Sequence, residues 1–183
     1  MKRQSGFTLL ELIVTMAVLA ILAGIAIPGF TAWLPNYRLK SAALDVFSNF
    51  QQAKVLAVRA NRNHRVEFDP ANHQYDIVDC MTGGCGDVSG DDTVVKTVDL
   101  DDYGNPGEIS FGGGDATINV PGSGAVPGDG VSYGSNIVTF NPRGMVNQGY
   151  VYLQNPRGTA YALGTENSGL IKMRKWGGAA WKQ

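Results

Sequence analysis

Gly6-Phe7-Thr8-Leu9-Leu10-Glu11-Leu12 follows Lys2 and Arg3 and opens an apolar run that continues to Ile27. Glu11 is the one charged residue between Phe7 and Ile27. A charged side chain at the centre of a bilayer costs ~2.5–3.5 kcal/mol on insertion scales, so a carboxylate in such a run needs a partner or a purpose.

Three readings compete for residues 1–30. A secretory signal peptide has the basic start, and Gly24-Ile25-Ala26 offers a weak cleavage site. Its apolar core is normally ~7–15 residues, and this one is longer. A plain membrane anchor needs about 20 apolar residues and has them, but leaves Glu11 unexplained. The third reading comes from resemblance. Lys2-Arg3-Gln4-Ser5-Gly6 followed by Phe7-Thr8-Leu9-Leu10-Glu11-Leu12 resembles the leader and mature start of type IV pilins and type II secretion pseudopilins. That resemblance implies a prepilin peptidase cutting between Gly6 and Phe7 on the cytoplasmic side, with N-methylation of the new Phe7 terminus. Pro28 also stands where many pilins carry a helix-interrupting proline.

Charge logic agrees with the third reading. Cleavage removes Lys2 and Arg3 and exposes an amine at Phe7, about one helical turn from Glu11. Amine and carboxylate can neutralise each other in lipid. The resemblance favours a pair between neighbouring subunits, which makes Glu11 an assembly residue that fixes register rather than one that adds stability. Lys2 and Arg3 favour a cytoplasmic N-terminus, although Arg38 and Lys40 lie on the other side.

A chain of 183 residues fits one soluble domain plus an N-terminal helix. The formal net charge of −1 gives no global attraction to nucleic acid, but its distribution is uneven. Asp87, Asp91, Asp92, Asp99, Asp101, Asp102 and Glu108 crowd one stretch. Oxygen ligands of this kind could hold calcium, but without the spacing of an EF-hand loop, and solvated acidic loops have the same composition. Lys172, Arg174, Lys175 and Lys182 occupy the C-terminal segment without an acid among them. Cys80 and Cys85 form a close pair that in an exported protein is expected to be a local disulfide, and in a reducing compartment two free thiols.

From Thr31 to about Arg62 no glycine occurs, and Leu39, Ala43, Val46, Phe50, Ala53 and Ala57 recur at helical spacing. The membrane segment is therefore expected to continue outward as an amphipathic helix with one face on a sheet. A kink or local melting is expected between Gly24 and Pro28, because proline lacks a donor and clashes with the preceding turn. Arg59, Arg62 and Arg65 are expected to suit the dipole at the helix end. Arg65–Asp69 and Gln74–Asp79 alternate around an Asp69-Pro70-Ala71-Asn72 turn and predict a hairpin, with His64 and His73 as surface residues. Residues 81–135 predict long loops with short strands at Thr93–Val98 and Ala116–Val120, of a kind that often carries recognition. Asn136–Phe140, Gly149–Leu153, Thr159–Leu163 and Leu170–Met173 predict an antiparallel meander separated by Asn-Pro-Arg-Gly turns.

Phe140-Asn141-Pro142-Arg143-Gly144, Gly149-Tyr150-Val151-Tyr152-Leu153 and Ser168-Gly169-Leu170-Ile171-Lys172 resemble the GspH/FimT family of minor pilins and pseudopilins. The likeness covers both ends of the chain and little of residues 81–135. It implies an α+β, pilin-like fold with a long N-terminal helix packed on an antiparallel sheet. The expected division is a leader at 1–6, a transmembrane and assembly helix at 7–30, and a periplasmic head at 31–183. Expected partners are other pilin or pseudopilin subunits, prepilin peptidase and the inner membrane, with a role in filament initiation or at the tip. Some FimT-like members bind DNA through a Gly-Arg-Val-Arg-like strand. Here Leu170 replaces the first arginine, and Lys172, Arg174 and Lys175 are the candidate contacts, with Trp176 and Trp181 able to stack on bases. A third class, a membrane-anchored enzyme, finds no nucleophile elbow, paired histidine ligands or phosphate loop.

Overall fold

Helix α1 runs from Leu9 to Ala60 in the computed structural model, which describes residues 7–81, 85 and 91–183. The chain divides into two compact units, one ending at Leu34 and the other running from Pro35 to Gln183. In the second unit α1 buries Leu39, Ala42, Ala43, Val46, Phe50, Ala53 and Ala57, the face its spacing predicts. The helix ends with Asn61 in the left-handed region (φ 51°) and the Arg62 N–H donating to Ala57 O at 3.3 Å. That is the geometry of a Schellman stop, with asparagine in the place usually taken by glycine. Arg59 lies in the last turn, as the dipole favours. Arg62 and Arg65 lie beyond the helix and are paired with acids instead.

Two antiparallel sheets follow. One contains β1 (His64–Asp69), β2 (Gln74–Asp79), β3 (Thr93–Asp99) and β5 (Ile137–Phe140) in the order β3-β2-β1-β5. The other contains β4 (Ser110–Phe111), β6 (Gly149–Gln154), β7 (Ala160–Thr165), β8 (Ile171–Trp176) and β9 (Trp181–Lys182) in the order β4-β6-β7-β8-β9. The expected single C-terminal meander is thus corrected. β5 leaves it and pairs with β1, Val66 opposite Val138, because its alternating apolar face joins the core there. The 65–79 hairpin is present, with Phe68 opposite Tyr75. One core holds the α1 face together with Val66, Phe68, Tyr75, Ile77, Phe140, Val151, Leu153 and Leu163. Phe68 sits at its centre, with the rings of Phe50, Phe111, Tyr75 and Tyr133 all 5.8–6.1 Å away.

Both Asn-Pro-Arg-Gly turns use one device. Asn141 Oδ1 accepts from the N–H of Arg143 and Met145, and Asn155 Oδ1 from those of Arg157 and Thr159. Gly144 and Gly158 then take φ of 74° and 75°, which residues with a Cβ resist.

Three expectations are corrected. Ala116–Val120 is not a strand: its polar groups bond side chains and loop backbone. The Val120 N–H donates to Tyr152 Oη at 2.9 Å, and Ile118 O accepts from Trp181 Nε1 at 2.7 Å. α1 continues unbroken through Gly24 and Pro28, so the local melting expected there is not seen. A single proline removes one ladder bond, and the bonds on either side suffice to keep the helix assigned. His64 is a core residue with 2 % of its surface exposed, since β1 alternates inward from its first position. His73 is half-buried, its Nδ1 3.6 Å from Asp101 Oδ1.

Candidate assembly surface of the N-terminal helix

The first unit is a helix with an apolar exterior. Phe7 is 86 % exposed, and Leu9, Leu10, Ile13, Met16, Leu19, Leu22, Ile25 and Ile27 are exposed after it. By length and composition α1 can cross a membrane, and none of its apolar window is buried. The threonine hydroxyls in this stretch are satisfied locally. Thr15 Oγ1 donates to Leu12 O at 2.8 Å, and Thr31 Oγ1 lies 3.2 Å from the carbonyls of Ile27 and Pro28. Lipid offers no substitute partners, so hydroxyls that bond back to the helix suit it.

Thr8 and Glu11 form the helix start. The Glu11 N–H donates to Thr8 Oγ1, and the Leu12 N–H to Thr8 O, both at 3.2 Å. This is the N-cap half of a capping box, Thr-x-x-Glu, a pattern visible in the sequence that the charge argument alone passes over. Glu11 in the first turn also faces the positive end of the helix dipole.

The second unit holds its stretch of α1 by polar contacts at successive heights. Asn36 Oδ1 accepts from Asn155 Nδ2 and Thr159 Oγ1, each at 2.9 Å. Arg38 Nη1 meets Glu108 Oε2 at 2.6 Å. The Asn105 N–H, with Arg38 beside it, holds the Glu108 carboxyl below the usual carboxylate range. Buried Asn49 donates to Tyr75 Oη (2.6 Å) and Asp45 Oδ2 (3.1 Å) and accepts from Lys96 Nζ (3.0 Å). Tyr103 Oη donates to the same Asp45 oxygen at 2.5 Å. Burial pushes the Tyr75 and Tyr103 hydroxyls above the usual phenol range. Higher still, Lys54 Nζ donates to Gly169 O at 2.9 Å. Asn49 is a polar residue on an otherwise apolar stripe; neither it nor its partners was singled out from the sequence.

Cys80 and Cys85 are joined, with Cα atoms 5.0 Å apart. Beside them Arg62 grips Asp79 through two nitrogens at 2.5 and 2.6 Å. That grip holds the Asp79 carboxyl below its ordinary range. His64 Nε2 lies 3.6 Å from the same carboxylate.

The acids do not gather. Asp92 pairs with Arg65 at 2.6 Å, Asp99 Oδ1 accepts the Asp101 N–H, and Asp101 Oδ1 accepts the Gly107 N–H. Asp87 lies outside the described residues, among which no group of three potential metal ligands forms. The three basic candidates are also divided. β8 alternates, so Lys172 and Arg174 project on one face and Lys175 on the other, above the Tyr161 ring at 6.0 Å. Lys172 is further bound to Glu166.

Comparison with known proteins fits this geometry. Residues 1–27 match the family model described as the prokaryotic N-terminal methylation motif. A fimbrial protein of Pseudomonas aeruginosa is 35 % identical over 77 residues, 42 % of this chain and 49 % of that protein. A fimbrial protein of Moraxella nonliquefaciens is 31 % identical over 86 residues, 47 % of this chain and 53 % of its own. The chain spans about half the length of the curated relatives it matches. The crystal structure of the type IV minor pilin FimU from Pseudomonas aeruginosa strain PAO1 superposes with a TM-score of 0.51 at 13 % identity. The match covers 81 % of this chain and 95 % of that one, a likeness of fold. The chain thus carries the N-terminal methylation motif over residues 1–27, ahead of a long helix and a head that share the fold of a type IV minor pilin.

Proposed function

We propose that this chain is a minor pilin or pseudopilin, a subunit of a type IV pilus or type II secretion filament. It is inserted in the bacterial inner membrane by residues 7–30 with its head in the periplasm. Prepilin peptidase cuts between Gly6 and Phe7, and the methylated Phe7 amine then meets Glu11 of a neighbouring subunit. The observation that carries this reading is a wholly exposed apolar helix whose single charge, Glu11, sits beside its start. The head supports assembly by holding the helix from Asn36 upward through buried polar contacts. Initiation of the filament, or contacts at its tip, is the role we assign. Terminal sequencing or mass spectrometry of protein recovered from membranes tests it. The expected mature chain starts at N-methylated Phe7; a chain still starting at Met1, or starting beyond Ala26, overturns the reading.

A second reading is DNA contact. It is favoured by one observation: Lys172 and Arg174 share a face with Trp176, whose ring meets Trp181 at 5.3 Å. Cations on phosphates and the partly exposed Trp181 ring under a base would divide the work, with buried Trp176 backing that ring. A salt-dependent gel shift with the detergent-solubilised chain tests it, and equal retardation by Lys172→Ala/Arg174→Ala rejects it.

A further inference from the structure

The Asn-Pro-Arg-Gly turn occurs twice, at 141–144 and 155–158, built by the same asparagine device. Arg143 and Arg157 hold its third position. Both are exposed, and neither guanidinium is in an ion pair among the described residues. The turns differ in where they meet α1. A Cβ on Gly144 would lie 3.2 Å from Lys54 Cε and 3.8 Å from Val58 Cγ2. Asn155 Nδ2 and Thr159 Oγ1 instead donate to Asn36 Oδ1, each at 2.9 Å. Asn36 and Lys54 are ~27 Å apart along the helix axis.

The lower turn is tied where the charge-free stretch ends. No Asp, Glu, Lys or Arg occurs between Glu11 and Arg38. Near the end of that stretch Trp33 is 55 % exposed, its ring 6.4 Å from that of Phe30. Aromatic rings at the end of an apolar span belong at the headgroup level. Asn36 follows Trp33 so closely that backbone alone allows at most ~11 Å between them. Arg157 is in turn two residues from each of the side chains that bind Asn36.

Charge around this turn is positive. Lys40 is exposed one helical turn beyond Asn36. Asp115, whose N–H donates to Gly158 O, offsets one of the two cations. Asn36 and Arg38 lie ~200° apart around α1, so Glu108, held by Arg38, belongs to the other flank.

We propose that Arg157 binds the phosphate of anionic phospholipid headgroups in the membrane that α1 enters, with Lys40 adding charge beside it. A planar guanidinium can hold two phosphate oxygens at once. A cation feels the field of an anionic surface only within about a screening length, ~8–10 Å. Arg143, on the turn ~27 Å further along α1, is beyond it. The contact holds the head at the bilayer while the subunit is stored there and is given up when the helix leaves. This inference rests on the membrane-inserted part of the reading above and gives the head a lipid partner.

Arginine modification of the full-length chain in bilayer discs tests it. Phenylglyoxal labelling of Arg157 and Arg143 is followed by peptide mass spectrometry in phosphatidylglycerol discs and in phosphatidylcholine discs. Arg157 should react about fivefold more slowly in the anionic lipid, and Arg143 at the same rate in both. At about 1 M salt, where the screening length is ~3 Å, the difference should vanish. Equal rates for Arg157 in the two lipids, equal slowing of both arginines, or a difference that persists in salt overturns the proposal. Flotation of the chain with vesicles of the same lipids separates the two ideas. A chain that floats without protection of Arg157 rejects the headgroup contact alone, and a chain that does not float rejects it together with the reading beneath it.

Discussion

The backbone N–H of Glu11 donates to Thr8 Oγ1 at 3.2 Å, so the residue that carries the charge in the apolar run also closes the helix start. The two roles separate by substitution. Glu11→Gln keeps a residue suited to the cap and removes the charge; Thr8→Ala keeps the charge and removes the cap, at a cost of about 1 kcal/mol. Losing one partner of an ion pair in a dry setting costs about 3–5 kcal/mol. Glu11→Gln and Glu11→Val should therefore insert normally but be depleted from sheared filaments by at least about tenfold, while Thr8→Ala is depleted much less. Quantitative immunoblotting of membrane and filament fractions checks this, and normal incorporation of Glu11→Val would count against the pairing.

Asn49 is the polar residue on the buried stripe of α1 and serves three partners. Asn49→Ala leaves the Tyr75 hydroxyl and the Lys96 ammonium without it. A loss of about 1–3 kcal/mol is expected, seen as a lower denaturation midpoint at unchanged slope. Tyr75→Phe should cost less, because Asn49 keeps Asp45 and Lys96.

Gly164 lies beneath the Tyr150 ring, where a Cβ would come within 2.1 Å of Tyr150 Cδ1. Gly164→Ala should destabilise by about 1–3 kcal/mol through overpacking. Combination with Tyr150→Leu should recover part of the loss, a coupling that a double-mutant cycle of melting curves measures.

Asp79 and Glu108 both titrate below their ordinary range in the folded chain. Each is then more readily protonated when unfolded, so stability rises with pH through that window. Their contribution is complete above the unfolded carboxylate values of about 4 and disappears as pH falls through the lower folded values. Asp79→Asn should flatten the acid limb of the stability curve measured between about pH 2 and pH 5, leaving the neutral region level.

Opening the Cys80–Cys85 bridge frees only a short loop. Chain entropy gives about 2 kcal/mol for a closure of this length. Cys80→Ala/Cys85→Ala should lower the melting temperature without unfolding the chain at 25 °C.

Periodicity carried much of this architecture. The buried stripe from Leu39 to Ala57 and the 65–79 hairpin follow from spacing alone, because a 3.6-residue or two-residue period leaves few alternatives. The prediction of one meander failed where long-range pairing decides: Ile137–Phe140 alternates equally well beside β6 or β1, and only the core selects β1. Ala116–Val120 failed because its strand-like composition is overruled by Tyr152 and Trp181, distant residues that take its backbone groups. His64 was misplaced since the strand starts one residue earlier than the pattern suggested, which makes His64 its first inward position. At the helix start, Thr8 and Glu11 were legible as a pair, but Asn36 with Asn155 and Arg38 with Glu108 are contacts across more than sixty residues that no local pattern encodes.

The contacts of Asn36 and Arg38 lie at the first turns of α1 within the head, and those of Asn49 and Lys54 follow behind. Tension drawn along the helix axis therefore enters the head as shear shared among side-chain staples at several heights, instead of peeling the sheets away one bond at a time.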